Sequence, residues 1–181
     1  MARAKPTVGS IVQVGIRSLR TRQADVLDSR ARGNDILTVP EYRRRGPPGV
    51  LERLPRGEPV YVSIDIDVLD LPLVPGCASA EVNGLSYDEL RGALVAIARH
   101  AEVIGFDLVE VNPMLDVASE NTSLIAAQLI MEFLARIVEH PQYRRRHPVR
   151  PSPSARERRP RHGASPQRRP GTAASRRGRK R

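Results

Sequence analysis

Residues 60–76 read VYVSIDIDVLDLPLVPG. Val60, Tyr61, Val62, Ile64 and Ile66 are β-branched or aromatic, and no turn former interrupts them, so the stretch opens as a buried strand. Into that apolar run the sequence sets Asp65 and Asp67, with Asp70 just beyond. Alternate residues of a strand share a face, so Asp65 and Asp67 are expected to point the same way. Two neighbouring carboxylates repel and resist desolvation unless a cation or hydrogen-bond donors compensate. An all-oxygen carboxylate set suits hard divalent ions such as Mg²⁺ or Mn²⁺. The plainer reading is that both aspartates cap the strand end and accept from loop amides. The spacing alone leaves both readings open.

Working outward toward the N-terminus, Ile11–Ile16 reads as a short strand and residues 21–31 as a weak helix stopped by Gly33-Asn34. Asp35–Val39 suits a strand. Helix formers over Pro40–Leu54 are interrupted by Gly46-Pro47-Pro48-Gly49, which breaks any helix there. On the other side, Leu71–Leu85 is a loop rich in Pro, Gly and small residues. Ser86-Tyr87-Asp88-Glu89 then forms a capping box for a helix that runs to about His100 and buries Leu90, Ala93, Leu94 and Ile97. Val103–Val109 is a second continuous buried strand, ending at Glu110. A loop with Asn112, Pro113 and Asp116 leads into an apolar helix over Ser123–Val138, closed by His140-Pro141. This alternation predicts an α/β fold: an open, mostly parallel sheet with flanking helices, its candidate ligands at the strand C-termini.

The net charge of +10 is unevenly spread. Residues 144–181 hold 15 Arg and Lys against one acid, Glu157, whereas residues 1–143 hold 15 basic and 19 acidic residues. The basicity therefore belongs to the end of the chain, and residues 1–143 are expected to form the folded domain. Residues 144–181 have Val149 as their only large apolar side chain, so a disordered Arg/Pro-rich tail is expected. They offer no aromatic ring for base stacking, so any contact with nucleic acid or an anionic surface would be electrostatic and salt-sensitive. An out-of-frame origin in GC-rich DNA is the favoured reading of this tail. The single cysteine, Cys77, fits a reducing compartment. The start MARAKPTVGS has no apolar core of a signal peptide, and no apolar run approaches bilayer-spanning length. A cytoplasmic location with no membrane partner is the expectation.

The pattern Ser63-x-Asp65-x-Asp67-x-x-Asp70 followed by Pro75-Gly76 resembles the signature of the arginase/agmatinase (ureohydrolase) family. Two further blocks agree in order: Gly84-Leu85-Ser86-Tyr87-x-Glu89-Leu90, and Gly105-Phe106-Asp107-x-x-Glu110-x-Asn112-Pro113 with Asp116. The resemblance runs from about Val12 to Arg136 and corresponds to the C-terminal half of a family member, a partial arginase-like three-layer fold. It implies a binuclear Mn²⁺ site, with Asp65 bridging both ions and Asp67 serving one, and a Glu110 that pairs with the guanidinium of a substrate such as agmatine. It implies a urea-releasing hydrolase, with a homo-oligomer as a possible assembly. Asp70 is read as shaping its loop, Asp107 as ordering the site from behind, and Asp116 as ordering its own loop, with an exposed polar residue the favoured alternative for Asp116. The family's G-G-D-H and D-A-H-x-D blocks have no counterpart, and His100, His140, His147 and His162 do not replace their ligands. The expectation is therefore a fragment with an incomplete ligand set and no activity of its own. Its rivals are a nonenzymatic remnant and a basic-tailed binder. The loop Cys77-Ala78-Ser79-Ala80-Glu81-Val82-Asn83 departs from the family pattern and leaves the guanidino substrate open, and Cys77 reads as a small packing residue.

Overall fold

The computed structural model describes residues 8–117 and 120–148. The expected disordered tail lies outside them beyond Pro148. Strand β1 (Val12–Ile16) and strand β2 (Asp35–Thr38) pair in parallel, joined by helix α1 (Gln23–Ala31). Gly33, at φ +73, ends α1 as expected. Helix α2 (Val39–Leu51) opens with a capping box, in which the Glu41 amide donates to Thr38 Oγ1 and the Thr38 amide to Glu41 Oε2. The Gly-Pro-Pro-Gly run breaks α2 at one residue only. Gly46 turns out of the helix at φ +62, ψ −164, and the helix resumes at Pro47, where a missing N–H costs nothing.

Strand β3 (Pro59–Asp65) and strand β4 (Glu102–Val109) form the second parallel pair, connected through helix α3 (Tyr87–His100). Ser86 and Glu89 cap α3 reciprocally, the arrangement the sequence predicts. Leu90, Ala93, Leu94 and Ala98 are buried, and Ile97 packs at the edge of the core. Helix α4 (Asn121–Glu139) presents Thr122, Ala126, Leu129, Phe133 and Ile137 to the same core. There Phe133 meets Phe106 of β4 edge to face at 5.1 Å. α4 is also long and apolar enough to span a bilayer by length and composition, which corrects the expectation that no such stretch exists. The fold is α/β, with parallel strands and flanking helices.

Two expectations change. β3 and β4 are not buried on both faces: Val62, Ile64, Phe106 and Leu108 turn to the core, whereas Tyr61 is 59 % and Ile104 62 % exposed. α3 and α4 supply the core on one face, and no described element covers Tyr61 or Ile104 on the other. Helix α5 (Pro141–Arg146) crosses the expected boundary after residue 143. His140 Nδ1 accepts from the Gln142 amide at its start, and Arg146 pairs with Glu102 at the start of β4.

The two strand pairs meet where β1 runs past the turn that follows β3. Gly15, at φ +83, lies so close to the Val68 side chain that a Cβ there would overlap it. Leu69 and Leu85, both fully buried, then pair as a parallel bridge and fasten the loop after β3 to the start of α3.

Candidate functional site

Asp65 is the last residue of β3, and Ile66–Val68 leave the strand in a 3-10 turn. Asp65 caps that turn: its Oδ1 accepts from the Asp67 amide at 3.0 Å. Asp67 therefore sits in the turn, not on the strand, and the strand alternation expected to align the two carboxylates ends two residues before Asp67. They still crowd one another. Burial, and then the charges of Asp67 and Glu110, push the Asp65 carboxyl up to about 6 against the lowering effect of the Asp67 amide. Among the described residues, no arginine, lysine or histidine forms an ion pair with Asp65, Asp67 or Glu110.

Glu110 follows β4 directly, so it lies at the same strand-terminal edge as Asp65, whose register partner is Val109. Its backbone is left-handed at φ +69, a conformation that costs a non-glycine residue about 1 kcal/mol or more and is enriched at functional sites. Glu110 Oε2 accepts from Ser79 Oγ at 3.4 Å, which brings the Leu71–Leu85 loop to the carboxylates. Asn112 braces the same loop, its amide donating to Gly76 O at 2.8 Å.

The supporting aspartates take distinct places. Asp107 accepts from Ser63 Oγ at 2.7 Å and Tyr61 OH at 2.9 Å, bridging β3 and β4 on the open face one step behind Asp65. Asp70 accepts from the Gly84 amide at 3.0 Å, which shapes the loop as expected. Asp116 is 3 % exposed, so the favoured reading of an exposed polar residue is corrected. It accepts from the Thr122 and Ser123 amides and from Ser123 Oγ, an N-terminal anchor for α4. Cys77 is buried, as expected of a packing residue, with its Sγ 3.3 Å from Ser79 Oγ.

Sequence reading missed the grip that residues 17–20 exert on this loop. Arg17 Nη2 donates to the carbonyls of Asp67 (2.6 Å), Leu69 (3.0 Å) and Glu81 (2.8 Å), and its Nε to that of Val82 (3.3 Å). The Glu81 carboxylate accepts from Ser18 Oγ, the Leu19 amide and Arg20 Nε, and Arg20 Nη2 donates to Ser79 O. The Leu19 amide, then Arg20 and Ser18, hold the Glu81 carboxyl down at about 2. No local spacing signals contacts across 50 residues or more, so only the pairing of an Arg-Ser-x-Arg run with a lone Glu in the loop hinted at them.

The donor chemistry at Asp65, Asp67 and Glu110 fits a hard cation: the atoms are oxygens, and the Asp65 carboxyl is raised first by burial and then by its acidic neighbours. The set is small. Among the described residues, no group of three or more His, Cys, Asp or Glu side chains is arranged to hold a metal ion. His100 ends α3 against Leu54 O, and His140 and His147 flank α5, so none reaches the carboxylates, while His162 lies outside the described residues. A cavity of about 250 Å³ lined by Glu102, Ile137, Tyr143 and His147 involves none of the three carboxylates.

A sequence model of the arginase family matches residues 1–135. The chain belongs to the arginase family. Over 86 residues it is 50 % identical to agmatinase of Halalkalibacterium halodurans, a match covering 46 % of the chain and 29 % of that protein. Over 129 residues it is 34 % identical to formimidoylglutamase of Bacillus subtilis, covering 68 % of the chain and 40 % of the relative. Among solved structures it is similar to proclavaminate amidino hydrolase from Streptomyces clavuligerus, with a TM-score of 0.63 and 30 % identity over 70 % of the chain and 42 % of that protein. The chain thus spans less than half the length of each of these arginase-family relatives.

Proposed function

We propose that this chain carries the carboxylate portion of a manganese-dependent hydrolase site for guanidino compounds, agmatine among them. The observation that carries the reading is the meeting of Asp65, Asp67 and Glu110 at the ends of β3 and β4, with no described cationic side chain paired to any of them. Asp65 and Asp67 would hold Mn²⁺, which when bound supplies a Lewis acid that activates water at neutral pH. Glu110 would accept two N–H bonds from a planar guanidinium, the geometry a carboxylate fork provides. Ser79, 3.4 Å from Glu110, would border the same substrate. The substrate class rests on the family and on relatives whose names already span agmatine, formimidoylglutamate and proclavaminate chemistry.

Two carboxylates leave most coordination positions to water, so the chain by itself is a fragment of such a site and holds manganese weakly. Holding a guanidinium at Glu110 without an activated water gives binding and no turnover. Urea release from agmatine, arginine and guanidinobutyrate, followed with added Mn²⁺, is expected to stay at background. Turnover that disappears in Asp65→Ala would overturn the inactivity and show a site completed by a second subunit.

A further inference from the structure

We infer that Arg17 is a positioning residue for this site: its guanidinium locks the Asp65–Asp67 turn and the Ser79–Leu85 loop into one register. The inference rests on the reading of Asp65 and Asp67 given above and extends it to residues that touch neither metal nor substrate.

Arg17 stands one residue past β1 and is partly buried. All four of its hydrogen bonds go to backbone carbonyls, and among the described residues no ion pair engages it. The contacts use one edge of the planar guanidinium: Asp67, Leu69 and Glu81 share the two hydrogens of Nη2 and Val82 takes the one on Nε, an edge that a lysine ammonium does not reproduce. The four carbonyls belong to two segments far apart in sequence. Asp67 and Leu69 come from the turn after β3, and Glu81 and Val82 from the loop that carries Ser79. The two segments are otherwise joined by few bonds: the Asp70 amide to Leu85 O, the Leu85 amide to Val68 O, the Leu71 amide to Glu81 O, and the Gly84 amide to Asp70 Oδ1.

Fixing the Asp67 carbonyl fixes the peptide that follows Asp67 and so the direction its carboxylate takes from the turn. Fixing the Glu81 and Val82 carbonyls sets how closely Ser79 approaches Glu110. Arg20 acts on the second segment alone, through the Glu81 carboxylate and Ser79 O. Arg17 therefore couples the metal side of the site to the substrate side, and Arg20 tunes only the latter.

The test compares the full chain with Arg17→Lys and Arg20→Ala by residue-resolved amide hydrogen exchange, alongside Mn²⁺ uptake read from the EPR signal of the free ion. Arg17→Lys is expected to raise exchange at Asp70, Leu71, Gly84 and Leu85 together, by about tenfold or more given the loss of hydrogen bonds to a charged group. Core amides of α3 and α4 should hold their rates, and Mn²⁺ uptake should weaken. Arg20→Ala should raise exchange only near Glu81 and leave Mn²⁺ uptake unchanged. Unchanged exchange at Asp70 and Leu71 in Arg17→Lys overturns the coupling. Raised exchange with unaltered Mn²⁺ uptake reduces Arg17 to a merely structural brace and also overturns it. If the unaltered chain takes up no Mn²⁺, the metal reading fails by itself, and the exchange pattern still decides whether Arg17 joins the two segments.

Discussion

Glu81 shows how much a single half-buried carboxylate can organise when three donors converge on it. Its carboxyl is held at about 2, below the ordinary 4.5, by the Leu19 amide, Arg20 and Ser18. A depressed carboxyl contributes stability that is present above 4.5 and is lost as pH falls through about 2. Glu81→Gln is accordingly expected to melt at a lower temperature than the unaltered chain at pH 7. The two midpoints should converge as pH approaches 2 in melts followed by circular dichroism, and a gap that persists there would assign the effect to packing instead of charge. Glu81 was legible in the sequence only as part of an altered loop, because its partners lie about 60 residues away. Asp65 stands out in the sequence as a candidate ligand from the D-x-D spacing. Its turn-capping bond to the Asp67 amide was legible only as an alternative, since nothing in IDID tells where the strand gives way to a turn.

The elements nearest the site depend on backbone contacts that leave no room for a side chain. A Cβ on Gly84 would come within 2.5 Å of Leu69 O and closer still to the Leu69 carbonyl carbon and the Asp70 amide nitrogen, none of which can swing aside. Gly84→Ala should therefore cost about 2 kcal/mol or more, at the upper part of the usual range for overpacking, measured as a shift of the urea midpoint. An unchanged midpoint would mean that the Leu69–Leu85 bridge is not needed to fasten the loop. At the start of α3, Ser86→Ala should cost about 1 kcal/mol, the usual value of a lost N-cap. α3 was the most legible element because its start signal, Ser-x-x-Glu, acts through bonds three residues apart. The ends of β3 and α2 were less so. An alternating pattern continues past Asp65 although the strand does not, and the Gly-Pro-Pro-Gly run marks a break without saying that Gly46 alone absorbs it.

The assembled chain keeps apolar surface in solvent. Tyr61 and Ile104 lie on the open face of β3 and β4, and α4 exposes Leu124, Met131, Leu134 and Val138 on the side away from its core residues. Apolar patches of this kind exposed to water are covered by a partner or cause association. The isolated chain is therefore expected to self-associate or to unfold over a broad range; a monodisperse monomer with a sharp cooperative melt would contradict that. Truncation after Pro148 keeps α5 and its Arg146–Glu102 pair, and it should leave the melting midpoint where the full chain has it. The fold class was legible because strand and helix periods alternate along the chain. The open faces were not, because a sequence pattern marks which side chains seek burial and not whether a partner is present to bury them. The proposed metal site depends on two aspartates, Asp65 at the end of β3 and Asp67 in the turn that follows. Mn²⁺ titrated into the full chain and into Asp65→Asn/Asp67→Asn, followed by the EPR signal of the free ion, measures their role directly. Weak, saturable uptake by the unaltered chain that vanishes in the double variant is the predicted result, and equal uptake by both proteins, or none by either, would contradict it.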